Sequence, residues 1–240
     1  MFPYIMEPYA EKPPRERNGV RPMKIYVIRH GETEMNAKQV KQGWMNARLN
    51  QAGRDLARLT GQAMRDLGLR FDACFSSPLL RSLETVEIVL RESGNGDLPI
   101  RTDDRLKEIN FGEEEGTPVS YTTLPREQAE LFLLDALRFP GFPGGESIRE
   151  LCDRTQDFLW ELCAREEYEN VLIGTHGCAL RAMMNPLYDN SDHFWQGHVP
   201  PNCAVTILGT EDGKPRLLES DRIYYDPSLV VDHYSGVARI

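Results

Sequence analysis

Apolar positions along this chain follow two periods in turn. Lys24-Ile-Tyr-Val-Ile28 is a β-branched and aromatic run of strand type, and Val171-Leu-Ile-Gly-Thr175 is a second, apolar enough to be buried on both faces. Phe71-Asp-Ala-Cys-Phe75 reads as a short strand and 99–101 as a minor one. Between these runs the period lengthens to that of a helix. Ala52, Leu56, Leu59, Ala63 and Leu67 recur at steps of 4, 3, 4 and 4, with Asn50 as N-cap and Gly68 as the stop. Ser77-Pro78 places a Ser at N-cap and a Pro at N1 of a helix whose apolar face is Leu79, Leu83, Val86 and Leu90. Ile148, Leu151, Thr155, Phe158 and Leu162 predict a long helix from Glu146 to about Arg165, and 178–184 a short one. Ala204 to Leu208 and Arg216 to Ile223 flank Glu211-Asp-Gly-Lys214, whose Asp-Gly marks a hairpin turn.

Strands alternating with helices predict an α/β fold. The expected form is a three-layer α/β/α sandwich whose central sheet is mostly parallel, with an antiparallel hairpin at one end. Residues 117–142, rich in proline and aromatics, interrupt the alternation and are expected to form a small helical cap. Residues 1–22 carry five prolines and no period of either kind, so they read as a disordered or extended head. Residues 23–240 are then expected to be a single domain.

Composition narrows the class. Hydrophobic residues make up 40% and charged residues 27% of the 240, which is ordinary for a soluble domain. No apolar run approaches the ~20 residues of a membrane span. The formal charge of -9 argues against a nucleic-acid surface. Five widely spaced cysteines, with no C-x-x-C pair, are expected to be free thiols in a reducing, cytoplasmic setting. That acidic balance also repels phosphate on average, so local clusters of Arg and His carry more meaning.

Three basic elements stand at equivalent places in the alternation. Arg29-His30-Gly31 follows the first strand, Arg81 lies just after the second, and His176-Gly177 follows the strand ending at Thr175. In open α/β sheets ligands bind beyond the carboxyl ends of the strands, so these residues are expected to converge. Guanidinium forks match phosphate oxygens and keep their charge at any working pH. An imidazole among cations is held neutral and so nucleophilic. Two Arg and two His together therefore suit phosphoryl transfer through a phosphohistidine, with no metal required. Taken singly, each of the four is more often an ion pair or a core residue; their joint placement carries the reading.

Other motifs fail. His30-Gly31-Glu32 imitates a zinc-deaminase H-x-E, without the P-C-x-x-C that completes such a site. Gly209-x-x-x-Gly213-Lys214 is one residue short of a phosphate-binding loop, and no G-x-S-x-G elbow is present. His193 and His198 are a poor metal pair and better candidates for pocket wall.

Arg29-His30-Gly31-Glu32-Thr33-x-x-Asn36 resembles the opening signature of the histidine phosphatase (phosphoglycerate-mutase-like) superfamily. Further blocks follow in family order: Gln42-Gly43-Trp44, Ser76-Ser77-Pro78-Leu-x-Arg81-x-x-x-Thr85, Leu106-x-Glu108-x-x-Phe111-Gly112, Gly144-Gly145-Glu146-Ser147 and Thr175-His176-Gly177. Met35 departs from the Trp of many members at a position without a chemical role. The resemblance implies His30 as nucleophile, Arg29, Arg81 and His176 as the phosphate pocket, and Glu108 as proton donor. Thr33, Asn36, Gln42, Gly43 and Gly177 match positions that contact the phosphoryl group or substrate. Glu113, Glu114 and Glu115 are expected to be surface plus one structural carboxylate. No cofactor and no metal are implied.

Mutase and phosphatase share such a pocket. Only 67 residues separate Glu108 from His176, and 109–145 holds two bases, Arg126 and Arg138, against six acids. The same stretch carries Phe111, Tyr121, Phe132, Phe139 and Phe142. An acidic, apolar cap suits a neutral or apolar leaving group, so the expectation is a phosphomonoesterase acting on a small molecule, resembling α-ribazole phosphatase and broad-specificity phosphatases. A mutase-type phosphotransferase and a non-catalytic phosphate-binding scaffold are the alternatives. The physiological substrate and the oligomeric state stay open.

Overall fold

In a computed structural model, which describes residues 22–196 and 198–231, Lys24–Arg29 (β1) lies inside a six-stranded sheet. The other strands are Ala73–Ser76 (β2), Ile100–Thr102 (β3), Asn170–Thr175 (β4), Val205–Glu211 (β5) and Lys214–Arg222 (β6). Their order is β3-β2-β4-β1-β5-β6; β3, β2, β4 and β1 are mutually parallel, while β5 and β6 run antiparallel as the hairpin. Asp212 and Gly213 at its tip both adopt positive φ, as an Asp-Gly turn of the primed type requires. The expected α/β sandwich with a mostly parallel sheet is what forms. The expectation for residues 1–22 lies outside the described residues, Pro22 apart.

Strand alternation sorts the core into two layers. Ile25 and Val27 of β1 pack with Phe158, Leu159, Leu162 and Leu180, which belong to Ile148–Cys163 (α5) and Gly177–Met184 (α6). Tyr26 and Ile28 point the other way, toward Met64, Val86 and Val89 of Gln51–Asp66 (α2) and Leu80–Glu92 (α3). Ser147 caps α5 with a reciprocal capping box: its side chain accepts from Glu150 N, and the Glu150 carboxylate accepts from Ser147 N.

Two helices differ from their sequence patterns. The buried face of α2 is Gly53, Ala57, Thr60, Gly61 and Met64, whereas Leu59 and Leu67 of the expected stripe are exposed. A close approach to α3 and to the loop after β1 selects small residues over large ones. Ser77 is not an N-cap: α3 begins two residues later than Pro78, after Leu79, and has no side-chain cap. Instead Leu80 N donates to Asn46 Oδ1 at 2.8 Å, which frees Ser77 for another partner.

The stretch expected to be a cap contains a short helix, Arg126–Leu134 (α4), and a 3-10 turn at Ala136–Arg138. It packs on a third cluster that includes Ile109, Ile148, Leu151, Ala179 and Phe194. Its aromatics are used in this packing. Phe139 and Phe142 are buried, and Phe132 meets Phe139, Phe142 and Trp195 edge-on at 5.0–5.2 Å. The apolar side of the expected acidic, apolar cap is therefore largely internal structure. Two of the acidic triplet are structural where one was expected: Glu114 is buried, pairs with Lys41 and accepts from Thr122 Oγ1 and Thr123 N, and Glu115 accepts from Trp44 N.

Candidate functional site

The register of the parallel strands brings the basic elements together. Arg29 pairs with Thr175 across β1 and β4, and Ser76 with Gly174 across β2 and β4. The next residues of each strand, His30, His176 and Ser77, thus emerge near one another at the carboxyl end of the sheet. The two imidazoles lie 5.1 Å apart between centroids, inclined at 57°.

His30 is buried, and its Nδ1 lies 2.7 Å from Gly31 O. A carbonyl only accepts, so the proton sits on Nδ1 and the Nε2 lone pair is available. The main chain is held on both sides. Gly31 N donates to Thr85 Oγ1 at 2.9 Å, and Asn202 Nδ2 donates to His30 O at 2.9 Å.

His176 is fixed by the Ser77 hydroxyl, 2.7 Å from its Nε2. Ser77 Oγ also accepts from Leu79 N; in the tautomer where its hydroxyl donates to Nε2, His176 carries its own proton on Nδ1. That Nδ1 is buried, with no hydrogen-bond partner among the described residues. A buried polar atom without a partner is uncommon and calls for one supplied from outside.

Arg81 is fully buried; Nη2 donates to Gly43 O at 2.7 Å and Nη1 to Met45 O at 2.9 Å. Gly43 has φ +49°, and a Cβ there would lie 2.1 Å from Glu115 Oε1, which accepts from Trp44 N. The loop that aims Arg81 thus needs glycine at this position. Arg29, also buried, donates to Pro200 O. A Cβ on Gly177 would stand 3.6 Å from Arg29 Nε and 3.8 Å from Glu108 Oε2, so cation and carboxylate flank one α-carbon.

Glu108 is seated at the start of α6, its Oε1 accepting from Ile109 N and Ala179 N and its Oε2 from Cys178 N, at 2.9, 3.0 and 3.2 Å. Thr33, Asn36 and Gln42 form one buried network beside His30. Thr33 caps the short helix Glu34–Ala37 (α1) in a box with Asn36, and Thr33 Oγ1 lies 2.9 Å from Gln42 Oε1. These three are accounted for as supports of the loop after β1. His198 bonds Asp221 at 2.8 Å and stands beside Arg181, while His193 is exposed.

Pro200 and Asn202, the Ser77 hydroxyl and Arg154 were not among the expected site residues. Arg154 Nη2 donates to Glu108 O at 2.8 Å. The loop 198–203 has no period to read. The Ser77-Pro78 pair signals a cap as readily as a histidine partner.

Burial, then the charges of Arg81 and Arg29, hold the His30 imidazole well below the ordinary histidine range; burial first, then Arg81, does the same for His176. Both rings are therefore neutral at pH 7. In the unfolded chain they protonate near pH 6.5, so below that pH the unfolded state binds more protons and stability falls. Each ring contributes up to ~1.4 kcal/mol per pH unit. In phosphate-free buffer, Tm is expected to drop by roughly 4–8 °C between pH 6.5 and 5.5, and His30→Asn to halve that slope. A flat Tm over this window would show that the rings are not buried neutral.

Two cationic guanidiniums, an unpartnered imidazole Nδ1, a neutral Nε2 and a carboxyl group on one rim can bind a phosphoryl dianion, attack it and exchange a proton with its leaving group. Similarity to other proteins agrees. The chain is 28% identical over 240 residues to the 2,3-bisphosphoglycerate-dependent phosphoglycerate mutase of Staphylococcus haemolyticus, covering 88% of this chain and 98% of that one. It is 30% identical to Bacillus stearothermophilus YhfR, with a TM-score of 0.74 over 84% of this chain and 98% of the other. A phosphoserine phosphatase mutant from Entamoeba histolytica, solved with phosphoserine, superposes with TM-score 0.72 at 25% identity, over 83% of this chain and 96% of that one. Residues 25–221 match the histidine phosphatase superfamily, branch 1, and the chain belongs to that superfamily.

Proposed function

We propose that this protein is a phosphomonoester hydrolase working through a phosphohistidine on His30. Arg29, Arg81 and the Nδ1–H of His176 hold the phosphoryl oxygens, and Gly43 and Gly177 let the backbone come close. Thr33, Asn36 and Gln42 hold the edge of that pocket. His30 Nε2 attacks phosphorus as the ester P–O bond breaks, and Glu108 gives its proton to the departing oxygen. Water then attacks the phosphohistidine, Glu108 takes its proton, and the P–N bond breaks to release phosphate and neutral His30. All of these groups belong to the chain, and no step calls on a cofactor or a metal. The unpaired state of all five cysteines supports a reducing, cytoplasmic setting.

One observation favours hydrolysis over mutase chemistry. Isomerising a phosphorylated acid requires a cation for the second anionic group, and the bases of 109–145 are paired with neighbouring acids on the surface. Arg126 and Arg138 are 89% and 73% exposed and pair with Glu130 and Asp135 within a single turn. The mutase reading draws on relatives that bear that name. Assay of p-nitrophenyl phosphate hydrolysis, against interconversion of phosphoglycerates primed by the bisphosphate, separates the two. The expected outcome is hydrolysis with kcat on the order of 10 s⁻¹, unchanged by EDTA, and no interconversion. Interconversion faster than hydrolysis would establish a mutase, and loss of hydrolysis in EDTA would sink the metal-independent mechanism.

A further inference from the structure

Arg154, on α5, puts its guanidinium to full use beside the site. A guanidinium has five N–H donors. Here Nε donates to Glu146 Oε1 at 2.7 Å, Nη1 to Arg105 O at 2.8 Å and Lys107 O at 2.7 Å, and Nη2 to Glu108 O at 2.8 Å and Glu146 Oε2 at 2.9 Å. Glu146 Oε2 also accepts from Asn110 N at 2.9 Å, and Glu146 N donates to Asn110 O at 2.9 Å. Main-chain groups on both sides of the Glu108 α-carbon are thus tied to one ion pair. That pair is partly shielded, at 16% and 15% exposure, where a charge-assisted bond is stronger than in open water.

The same carbonyl, Glu108 O, accepts from Trp44 Nε1 at 2.8 Å, and the Lys107 ammonium lies 4.6 Å from the Trp44 ring centroid. Trp44 stands between Gly43 and Met45, whose carbonyls orient Arg81. One hydrogen-bonded frame therefore runs from Glu146 through Arg154, Glu108 O and Trp44 to the loop that aims Arg81.

We propose that Arg154, braced by Glu146, is a positioning residue that holds Glu108 within proton-transfer distance of the leaving-group oxygen. The proposal rests on the reading of Glu108 as proton donor. A misplacement of ~1 Å at such a group costs about 10²-fold in rate. Lysine keeps the charge but has three donors on a single nitrogen, and cannot span three carbonyls and a carboxylate at once.

The test is a double-mutant cycle on the first chemical step, transfer of a labelled phosphoryl group from ester to protein. It is followed for an alkyl and an aryl phosphate in wild type, Arg154→Lys, Glu108→Gln and the double variant, with Tm recorded for each. Arg154→Lys is expected to slow transfer from the alkyl ester about 10²-fold, at least tenfold more than from the aryl ester, whose leaving group needs less protonation. Added to Glu108→Gln it should cause less than a twofold further loss, because its effect passes through the acid that is already gone. Glu146→Gln, which removes one accepting oxygen, should show the same pattern more weakly, and serves if Arg154→Lys does not fold. Losses that multiply in the double variant, or that are equal for both esters, would overturn the positioning role while leaving the phosphohistidine reading intact. Absence of labelling in wild type from either ester would overturn both.

Discussion

Replacing His30 with alanine is expected to lower kcat on any phosphomonoester by at least ~10⁴-fold and to abolish phosphoryl labelling of the protein; loss of a catalytic nucleophile in other covalent enzymes falls in that range or above. The geometry leaves no understudy. His176 is within 5.1 Å, but its Nε2 is engaged by the Ser77 hydroxyl, and in the tautomer that gives its Nδ1 proton to the phosphoryl group it presents no lone pair to phosphorus. Arg29 and Arg81 remain cationic and continue to hold the phosphoryl group, so vanadate or phosphate should still bind within about tenfold of wild type. Binding retained with turnover lost is the signature of a nucleophile; joint loss of both would point to collapse of the pocket. Residual activity above ~1% would mean that water attacks the ester directly and that His30 serves only as a phosphate ligand. His176→Ala should cost less, about 10²–10³-fold, the scale of one donor to a developing anion. It should still permit labelling.

Much of this site was legible because parallel α/β topology turns a sequence order into a spatial one. Each strand has its own apolar run, the residues after it land at the same carboxyl end of the sheet, and basic residues follow three of the strands. What was not legible depends on partners that have no identity in the sequence. Arg154 binds three main-chain carbonyls more than 45 residues away, and any residue supplies a carbonyl. Ser77 has two satisfactory fates, a helix cap or a histidine partner, and only the position of β4 decides between them. The cap aromatics are recognisable by composition, but composition cannot say whether rings face a ligand or each other. Here they face each other. On α2 the leucines mark the wrong stripe, since contact at short range along most of the interface favours residues with little or no side chain. Leu56 and Ala63 are only partly buried, while Gly53, Ala57 and Gly61 make the interface.

That interface gives a second large expectation. Gly53→Ala is expected to lower Tm by roughly 4–8 °C and kcat by about 10²-fold, although helix propensity alone favours alanine by ~1 kcal/mol. Gly53 lies in the first turn of α2, where a Cβ would stand 2.1 Å from Glu32 O and 2.5 Å from Glu32 N. These are backbone atoms and cannot rotate aside; overpacking of this kind costs 1–3 kcal/mol or more. The strand-to-helix loop would have to retreat, and it carries Gly31 two residues after Arg29. Gly31 has the complementary constraint, since its own Cβ would meet Gly53 O at 2.6 Å. The two glycines bring α2 against the loop so that His30 is backed by main chain instead of by a movable side chain. Displacement of Glu32 also breaks the 2.6 Å bond from Asn50 Nδ2 to Glu32 Oε1 and the 3.0 Å bond from Asn50 N to Glu32 O, which join the N-cap of α2 to the nucleophile loop. Gly96→Ala is the control: the nearest atom to its Cβ is at 3.5 Å, an ordinary contact, and it should change neither Tm nor kcat measurably. Thermal melts and steady-state rates on the two variants decide the matter. A Gly53→Ala protein as stable as wild type, or more so, would show that propensity outweighs the contact and that the nucleophile loop is held some other way.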